Sequence, residues 1–251
     1  MKAPTDPWIS FRKPRPHARL RLFCFPYAGG GALIYREWSQ DMPDEIEVCP
    51  VQLPGRERRL REPSFTRVEP LIDALLPALT PYFDMPFAFF GHSMGGTLAY
   101  ELAQRLAQEG QDGPQHLVAS ARRAPQVAAE DNQIHYHLPD DEFKEHLREI
   151  KGTPEEVLAN EELMDLMLPL LRADFELVDT HPISTAPPLD CPVTVFGGLE
   201  DHDVPRKELE AWSEVTNRRF RLRMFPGDHF FLHPHRQALV HAVAESLLRG
   251  Y

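Results

Sequence analysis

The amino-acid sequence predicts an α/β fold, a mostly parallel central sheet flanked by helices. Three observations predict it. Short apolar runs with strand character alternate with segments of helical spacing from about residue 19 to the C-terminus. Phe87-Ala88-Phe89-Phe90 is apolar without alternation, as in a strand covered on both faces. The chain has 251 residues, an ordinary length for one α/β domain with a sizeable core.

Residues 1–17 read as a Pro/Arg-rich tail with no apolar secretory leader. Arg19–Phe25 reads as the first strand, Pro26–Gly31 as a Gly-rich loop, and Leu33–Gln40 as a short helix. Ile46–Val51 is a second strand, followed by an Arg-rich loop over Pro54–Phe65. Glu69–Tyr82 has helical spacing, which Pro77 is expected to kink or shorten. After the Phe87–Phe90 strand, Gly95–Gln108 places Leu98, Leu102 and Leu106 on one helical stripe. Leu117–Ser120, Val193–Phe196 and Phe220–Phe225 are further strands, and Gln237–Leu248 is a closing helix.

The stretch from about 134 to 181 breaks this rhythm, being helical with no strand between. Asp140 is expected to cap one helix, Thr153-Pro154-Glu155-Glu156 has the form of a capping box, and Asn160 is expected to cap a third helix. That third helix is apolar nearly all round, from Leu163 to Leu171. Such a helix needs cover on more than one side, and an inserted helical lid over a lipophilic channel is the expectation. The alternative is extra core packing.

Composition excludes several classes. Apolar residues are 42% and charged residues 26% of the chain, the balance of a globular protein. No apolar run is long enough to span a bilayer. A net charge of -11 argues against nucleic acid as a partner. Cys24, Cys49 and Cys191 fit no metal or paired-cysteine spacing and are read as core thiols in a reducing cytoplasm. His135-Tyr136-His137 and His233-Pro234-His235 lack a partner at a metal-binding spacing, so no metal is expected.

The strongest chemical signal is Gly91-His92-Ser93-Met94-Gly95, a G-x-S-x-G motif between a buried strand and a helix. The turn is tight, so its flanks must be small, and the serine hydroxyl is pushed out at the C-terminal edge of the sheet. A serine hydroxyl needs a base to become a nucleophile. Among 12 histidines, His229 follows the last strand and stands last in chain order. A carboxylate is then expected after Val193–Phe196. Glu200, Asp201 and Asp203 are candidates. The oxyanion of an acyl-transfer transition state needs two N–H donors. Met94 supplies one, and Pro26-Tyr27-Ala28-Gly29-Gly30-Gly31 the other, from Ala28 first and Tyr27 second. This loop matches neither G-x-G-x-x-G nor a Walker motif.

Together these segments resemble the stand-alone type II thioesterases of nonribosomal peptide and polyketide synthases, members of the α/β-hydrolase superfamily. The resemblance covers nearly the whole chain. It rests on Phe23–Gly30, Leu53-Pro54-Gly55-Arg56-Glu57-Arg58-Arg59, Phe90–Gly96, Ser120–Pro125, Gly197–Val204 and Gly227–Phe231. It implies an α/β-hydrolase fold and hydrolysis of acyl groups from the phosphopantetheine arm of carrier proteins, with no cofactor of the enzyme's own. It implies Ser93, Asp201 and His229 as triad, Met94 and Ala28 as oxyanion donors, and a mobile lid. Asp203 departs from the family, where many members have an apolar residue. The triad alone also fits oxygen esters and amides; the thioester assignment comes from the resemblance. Arg56, Arg58, Arg59 and Arg61, with Arg122 and Arg123, are expected to face an acidic carrier protein, and Tyr27 to contact substrate. The alternatives are a medium-chain fatty-acyl thioesterase, a small-molecule carboxylesterase, or an inactive hydrolase used for binding.

Overall fold

The computed structural model describes residues 6–128, 134–153 and 155–248. Six strands form one sheet: β1 (Leu20–Phe25), β2 (Ile46–Pro50), β3 (Phe87–His92), β4 (Leu117–Ser120), β5 (Val193–Gly198) and β6 (Phe220–Phe225). Their order is β2-β1-β3-β4-β5-β6, and every neighbouring pair is parallel. Strands β2 to β5 are buried at every residue and largely apolar, with Glu47 of β2 paired to Arg12 and Arg21. Edge strand β6 instead alternates, with Arg221 and Arg223 turned to solvent, which blunts the edge against pairing with another chain.

The two-residue period of β1 splits the core. Phe23 and Phe25 join α2 (Val68–Leu79) and α3 (Met94–Gln108) on one face. Leu22 and Cys24 join α1 (Trp38–Asp41) and α8 (Arg236–Leu248) on the other. Each fully buried Phe of β1 or β3 contributes roughly 1.5–3 kcal/mol by removal from water. Strand order reverses between β1 and β3, so the loops after these two strands diverge and leave a crevice between them.

Helix α2 continues past Pro77 but ends at Leu79, short of the expected Tyr82, and a tighter 3-10 turn covers Thr80–Tyr82. Pro77 and Asp73 lie on the exposed face, where the carbonyl robbed of its partner can bond water. The N-terminal tail is pinned: Ile9 bridges Val51 in antiparallel sense, with Ser10 N–H donating to Pro50 O at 3.0 Å. Residues 1–5 of the tail lie outside the described residues.

Between β4 and β5 come α4 (Asp140–Glu149), α5 (Glu155–Leu158) and α6 (Glu161–Asp179). Asp140 is the first residue of α4, with Pro139 at the cap, so the acid acts on the helix dipole instead of capping it. Pro154 lies outside the described residues. Asn160 caps α6 as expected, accepting from Leu163 N at 3.1 Å. Phe143, Leu147, Leu158, Met164, Leu168 and Leu171 form a small core of the insertion's own. Leu177, nearer the end of α6, belongs to the main core, and Leu163 and Leu166 stay exposed.

No helix among the described residues is long and apolar enough to cross a membrane. All three cysteines are unpaired and buried. Burial raises the Cys24 thiol well above its ordinary value, and pushes Cys49 and Cys191 up to about 12.

Burial pushes His116 down to about 4 from its ordinary 6.5, while its Nε2 sits 2.8 Å from Thr194 Oγ1. Buried His92 is lowered in the same way. Both imidazoles take up protons more readily when unfolded, so stability falls as pH drops from 6.5 towards 4. Urea titrations across that window are expected to show the loss, and His116→Gln to flatten it. An unchanged slope in the variant would remove His116 from the account.

Candidate active site

Ser93 stands alone between β3 and α3 with φ 52° and ψ −119°, a conformation side chains rarely adopt. The neighbouring glycines explain how it is held. A Cβ on Gly91 would lie 1.9 Å from Gly95 O, and one on Gly95 would lie 2.1 Å from Phe25 O. Strand β3, helix α3 and the end of β1 therefore touch backbone to backbone around the serine. Ser93 N–H donates to Ser120 O at 2.8 Å.

His229 leaves the turn after β6, and Asp201 leaves the turn after β5. His229 Nδ1 lies 2.9 Å from Asp201 Oδ2. Asp201 Oδ1 accepts from the backbone N–H of Asp203 at 3.0 Å and of Val204 at 3.2 Å. The carboxylate is buried and aimed before any substrate arrives. Its bond puts the proton on Nδ1 and leaves Nε2 with a lone pair, the form a general base requires. Asp203, the rival carboxylate, is exposed and makes no such bond; partial withdrawal from water pushes its carboxyl up. Asp201→Asn is expected to lower kcat by about 10⁴-fold through the wrong tautomer. Asp203→Asn is expected to leave kcat nearly unchanged. Equal losses in steady-state assays would mean the two acids share the role.

His92 has a part that the sequence does not reveal. It is fully buried, with Nε2 2.9 Å from His229 O and Nδ1 2.9 Å from Ser120 Oγ. A carbonyl only accepts, so Nε2 carries the proton and Nδ1 accepts from the serine hydroxyl. His92 thus ties the turn bearing His229 to β4. The signal that could have pointed to it is its place inside the elbow, where its side chain runs under the sheet edge.

Ser93, Met94, Ala28 and His229 all line one cavity of about 750 Å³. Met94 opens α3, so its N–H has no partner within the helix. In the loop after β1, Gly29 N–H donates to Asp174 Oδ2 at 2.7 Å and Gly30 N–H to Tyr27 O at 2.9 Å. Ala28 faces the cavity, as expected of a donor to an oxyanion there. Tyr27 is not among the lining residues. Its ring packs on His92 and Phe230, and its hydroxyl lies 2.9 Å from His233 Nε2.

Ile150, Phe175 and Val178 of the insertion line the same cavity. The expected lipophilic channel is only partly so, because Arg122, Arg123, Asp179 and Glu208 also line it. Gly96 makes room for this: its missing Cβ would lie 3.0 Å from Arg122 Cβ. Burial and the neighbouring Arg123 push Arg122 down to about 10.

The arginines expected on a docking surface are mostly engaged elsewhere. Arg56 is 4% and Arg59 is 7% exposed, so neither is available to a partner. Arg56 holds Asp174. Arg59 stacks on Trp8, 4.0 Å from the ring centre, and bonds Glu62 and Gln52 O. Arg58 is exposed, but its guanidinium donates to Ile9 O at 2.8 Å. Arg58 and Arg59 fasten the N-terminal tail and Arg56 fastens Asp174, partners that charge spacing alone cannot reveal.

Among the described residues, one trio could hold a metal ion: Asp201, Asp203 and His229. Asp201 is already occupied by three donors and His229 Nδ1 by Asp201, so the trio is poorly suited to an ion.

A sharp strand-turn-helix serine, an acid after β5 and a histidine after β6, on a mostly parallel sheet, define an α/β hydrolase. The comparisons sharpen this class. Residues 20–247 match the family model of the thioesterase domain, and the chain belongs to the thioesterase family. It is 44% identical to the gramicidin S biosynthesis protein GrsT of Aneurinibacillus migulanus over 230 residues, covering 92% of this chain and 90% of that one. It is also 44% identical to a Brevibacillus parabrevis protein named linear gramicidin dehydrogenase LgrE, covering 97% and 93%. Among solved structures it is similar to the RedJ thioesterase of the prodiginine biosynthetic pathway in Streptomyces coelicolor. There the TM-score is 0.87 and identity 38%, covering 93% of this chain and 92% of that one.

Proposed function

We infer that the protein hydrolyses acyl thioesters carried on the phosphopantetheine arm of carrier proteins, and so clears stalled units from a peptide or polyketide synthase. The observation that carries this reading is the His229–Asp201 pair lining the same cavity as the strained Ser93. The relatives' roles in gramicidin S and prodiginine biosynthesis support the synthase context. Three unpaired buried thiols suit a reducing compartment such as the cytoplasm. The dehydrogenase name of one relative finds no support in the loop after β1, which lacks a dinucleotide-binding glycine pattern.

In this mechanism His229 Nε2 takes the Ser93 hydroxyl proton as Oγ attacks the thioester carbonyl. The negative charge that develops on the carbonyl oxygen is met by the N–H groups of Met94 and Ala28. The C–S bond breaks and the pantetheine thiolate leaves, protonated by the imidazolium. A thiolate is a better leaving group than an amine, so acid assistance is a smaller demand here. Water, deprotonated by His229, then attacks the Ser93 acyl ester and releases the acid. Asp201 keeps the imidazole in one tautomer throughout.

A hydrolysis panel tests the reading: acyl groups on carrier proteins, the same groups on free pantetheine, and the matching oxygen esters. Thioesters on carriers are expected to have the highest kcat/KM. Preference for oxygen esters would favour the carboxylesterase alternative. Equal rates on carriers and free pantetheine would remove the carrier from the proposal.

A further inference from the structure

The oxyanion loop is held from outside the sheet. Asp174, on α6, is 1% exposed and makes three bonds there. Its Oδ2 accepts from Gly29 N–H and from Arg56 Nη1, both at 2.7 Å, and its Oδ1 accepts from Arg56 Nη2 at 2.8 Å. Arg56 Nη1 also donates to Gly30 O at 3.0 Å, and its Nε donates to Pro54 O at 3.1 Å. One buried ion pair therefore grips both the N–H of Gly29 and the carbonyl of Gly30. These are the residues directly after Ala28, which lines the cavity.

The same helix adds a steric stop. A Cβ on Gly29 would lie 2.6 Å from Leu171 Cδ2, and Gly29 has φ +78°. Leu171 sits three residues before Asp174, so one face of α6 meets this turn at two points. Helix α6 itself divides between two cores. Met164, Leu168 and Leu171 belong to the insertion, and Leu177 to the main core. Pro169 lies between Leu168 and Leu171 and removes one backbone bond from the helix at that level. Asp174 thus stands where the insertion joins the body.

We propose that Asp174 and Arg56 are positioning residues through which helix α6 sets the oxyanion loop, so that hydrolysis requires the insertion to be seated. Neither residue touches the reacting atoms. Drawing the α6 face away would free the Gly29 N–H and strip Arg56, the donor to the Gly30 carbonyl, of its counter-ion, and the Ala28 amide would lose its fixed direction. The charge pair is paid for by its own bonds: each carboxylate oxygen has a donor, and the guanidinium meets two carbonyls besides. The inference rests on the hydrolase reading above and deepens it by tying the oxyanion site to the insertion.

The test uses the full chain with three probes. They are a carrier-bound acyl thioester for kcat and KM, an alkyl trifluoromethyl ketone, and the matching thioether with no carbonyl. The ketone adds to Ser93 and places an oxyanion where the transition state does; the thioether fills the cavity without one. The first variant is the double Arg56→Leu/Asp174→Leu, which removes both buried charges at once and so leaves neither unpaired. The second is Asp174→Asn, which keeps size and one acceptor for Gly29 while losing the ionic grip. Thermal melts select the variant that remains folded. The expected result is a fall in kcat of about 10-fold or more with KM within about threefold. Ketone affinity falls in parallel, and thioether affinity is unchanged. Wild-type kcat and ketone affinity in the folded variant would overturn the proposal. So would equal losses of ketone and thioether affinity, which mark a collapsed cavity. Absence of thioester turnover in the wild-type protein would instead sink the underlying hydrolase reading, before any variant is compared.

Discussion

Ser93→Ala is expected to remove nearly all hydrolysis, about 10⁴- to 10⁶-fold in kcat, while the fold survives. The size of the effect follows from the division of labour at the site. In the proposed mechanism His229 and Asp201 act through the serine, so without Oγ the imidazole has nothing to activate. The fold should tolerate the change because Ser93 is fastened by its backbone N–H to Ser120 O, not by its hydroxyl. Alanine adds no atom to the crowded turn. Residual rate from bound water and the oxyanion donors sets the floor. A fluorophosphonate probe should label the wild-type protein at one residue and leave the variant unlabelled. Labelling that persists in the variant would place the nucleophile elsewhere.

Gly95→Ala is expected to cost more than about 3 kcal/mol or to prevent folding. The added Cβ would sit 2.1 Å from Phe25 O and 2.9 Å from Pro26 O. Both obstacles are backbone, so no rotamer change relieves them. The only escape is to lift α3 off the end of β1, which opens the crevice and misdirects Ser93. Gly113→Ala is the control: nothing lies within 4 Å of its added Cβ, and a neutral or slightly stabilising change is expected. Urea denaturation of both proteins makes the comparison. Equal midpoints for the two would show that the contact around Gly95 is looser than described.

How much could be read from the sequence differs with the range of the interaction. The elbow was legible because a steric demand is local: two glycines four residues apart bracket one serine, and the neighbouring strand and helix carry their own apolar patterns. Strand positions were legible for the same reason, since β3 and β5 must be apolar on both faces. Chain order pointed to His229, and the family resemblance pointed to Asp201 over Asp203. The arginines misled because exposure is not a local property. Arg56 meets Asp174 across 118 residues of chain, and Arg59 meets Trp8. Nothing in the spacing of a Pro-Gly-Arg-Glu-Arg-Arg run announces those partners. The part of His92 was not legible for a similar reason: its two partners, Ser120 Oγ at the end of β4 and His229 O in the turn after β6, are distant in the sequence. Pro77 was expected to kink or shorten the helix over Glu69–Tyr82; α2 ends at Leu79, and the exposed position of Pro77 is what lets it run that far.

The sealed thiols have a practical corollary. In the proposed reaction every turnover liberates a pantetheine sulfhydryl, which an aromatic disulfide dye can count as it appears. Cys24, Cys49 and Cys191, buried and held in the protonated form, should stay silent towards that dye while the protein is native. Colour in the cuvette then reports product alone. Adding denaturant afterwards should release three more equivalents per chain, an internal standard for enzyme concentration in the same sample.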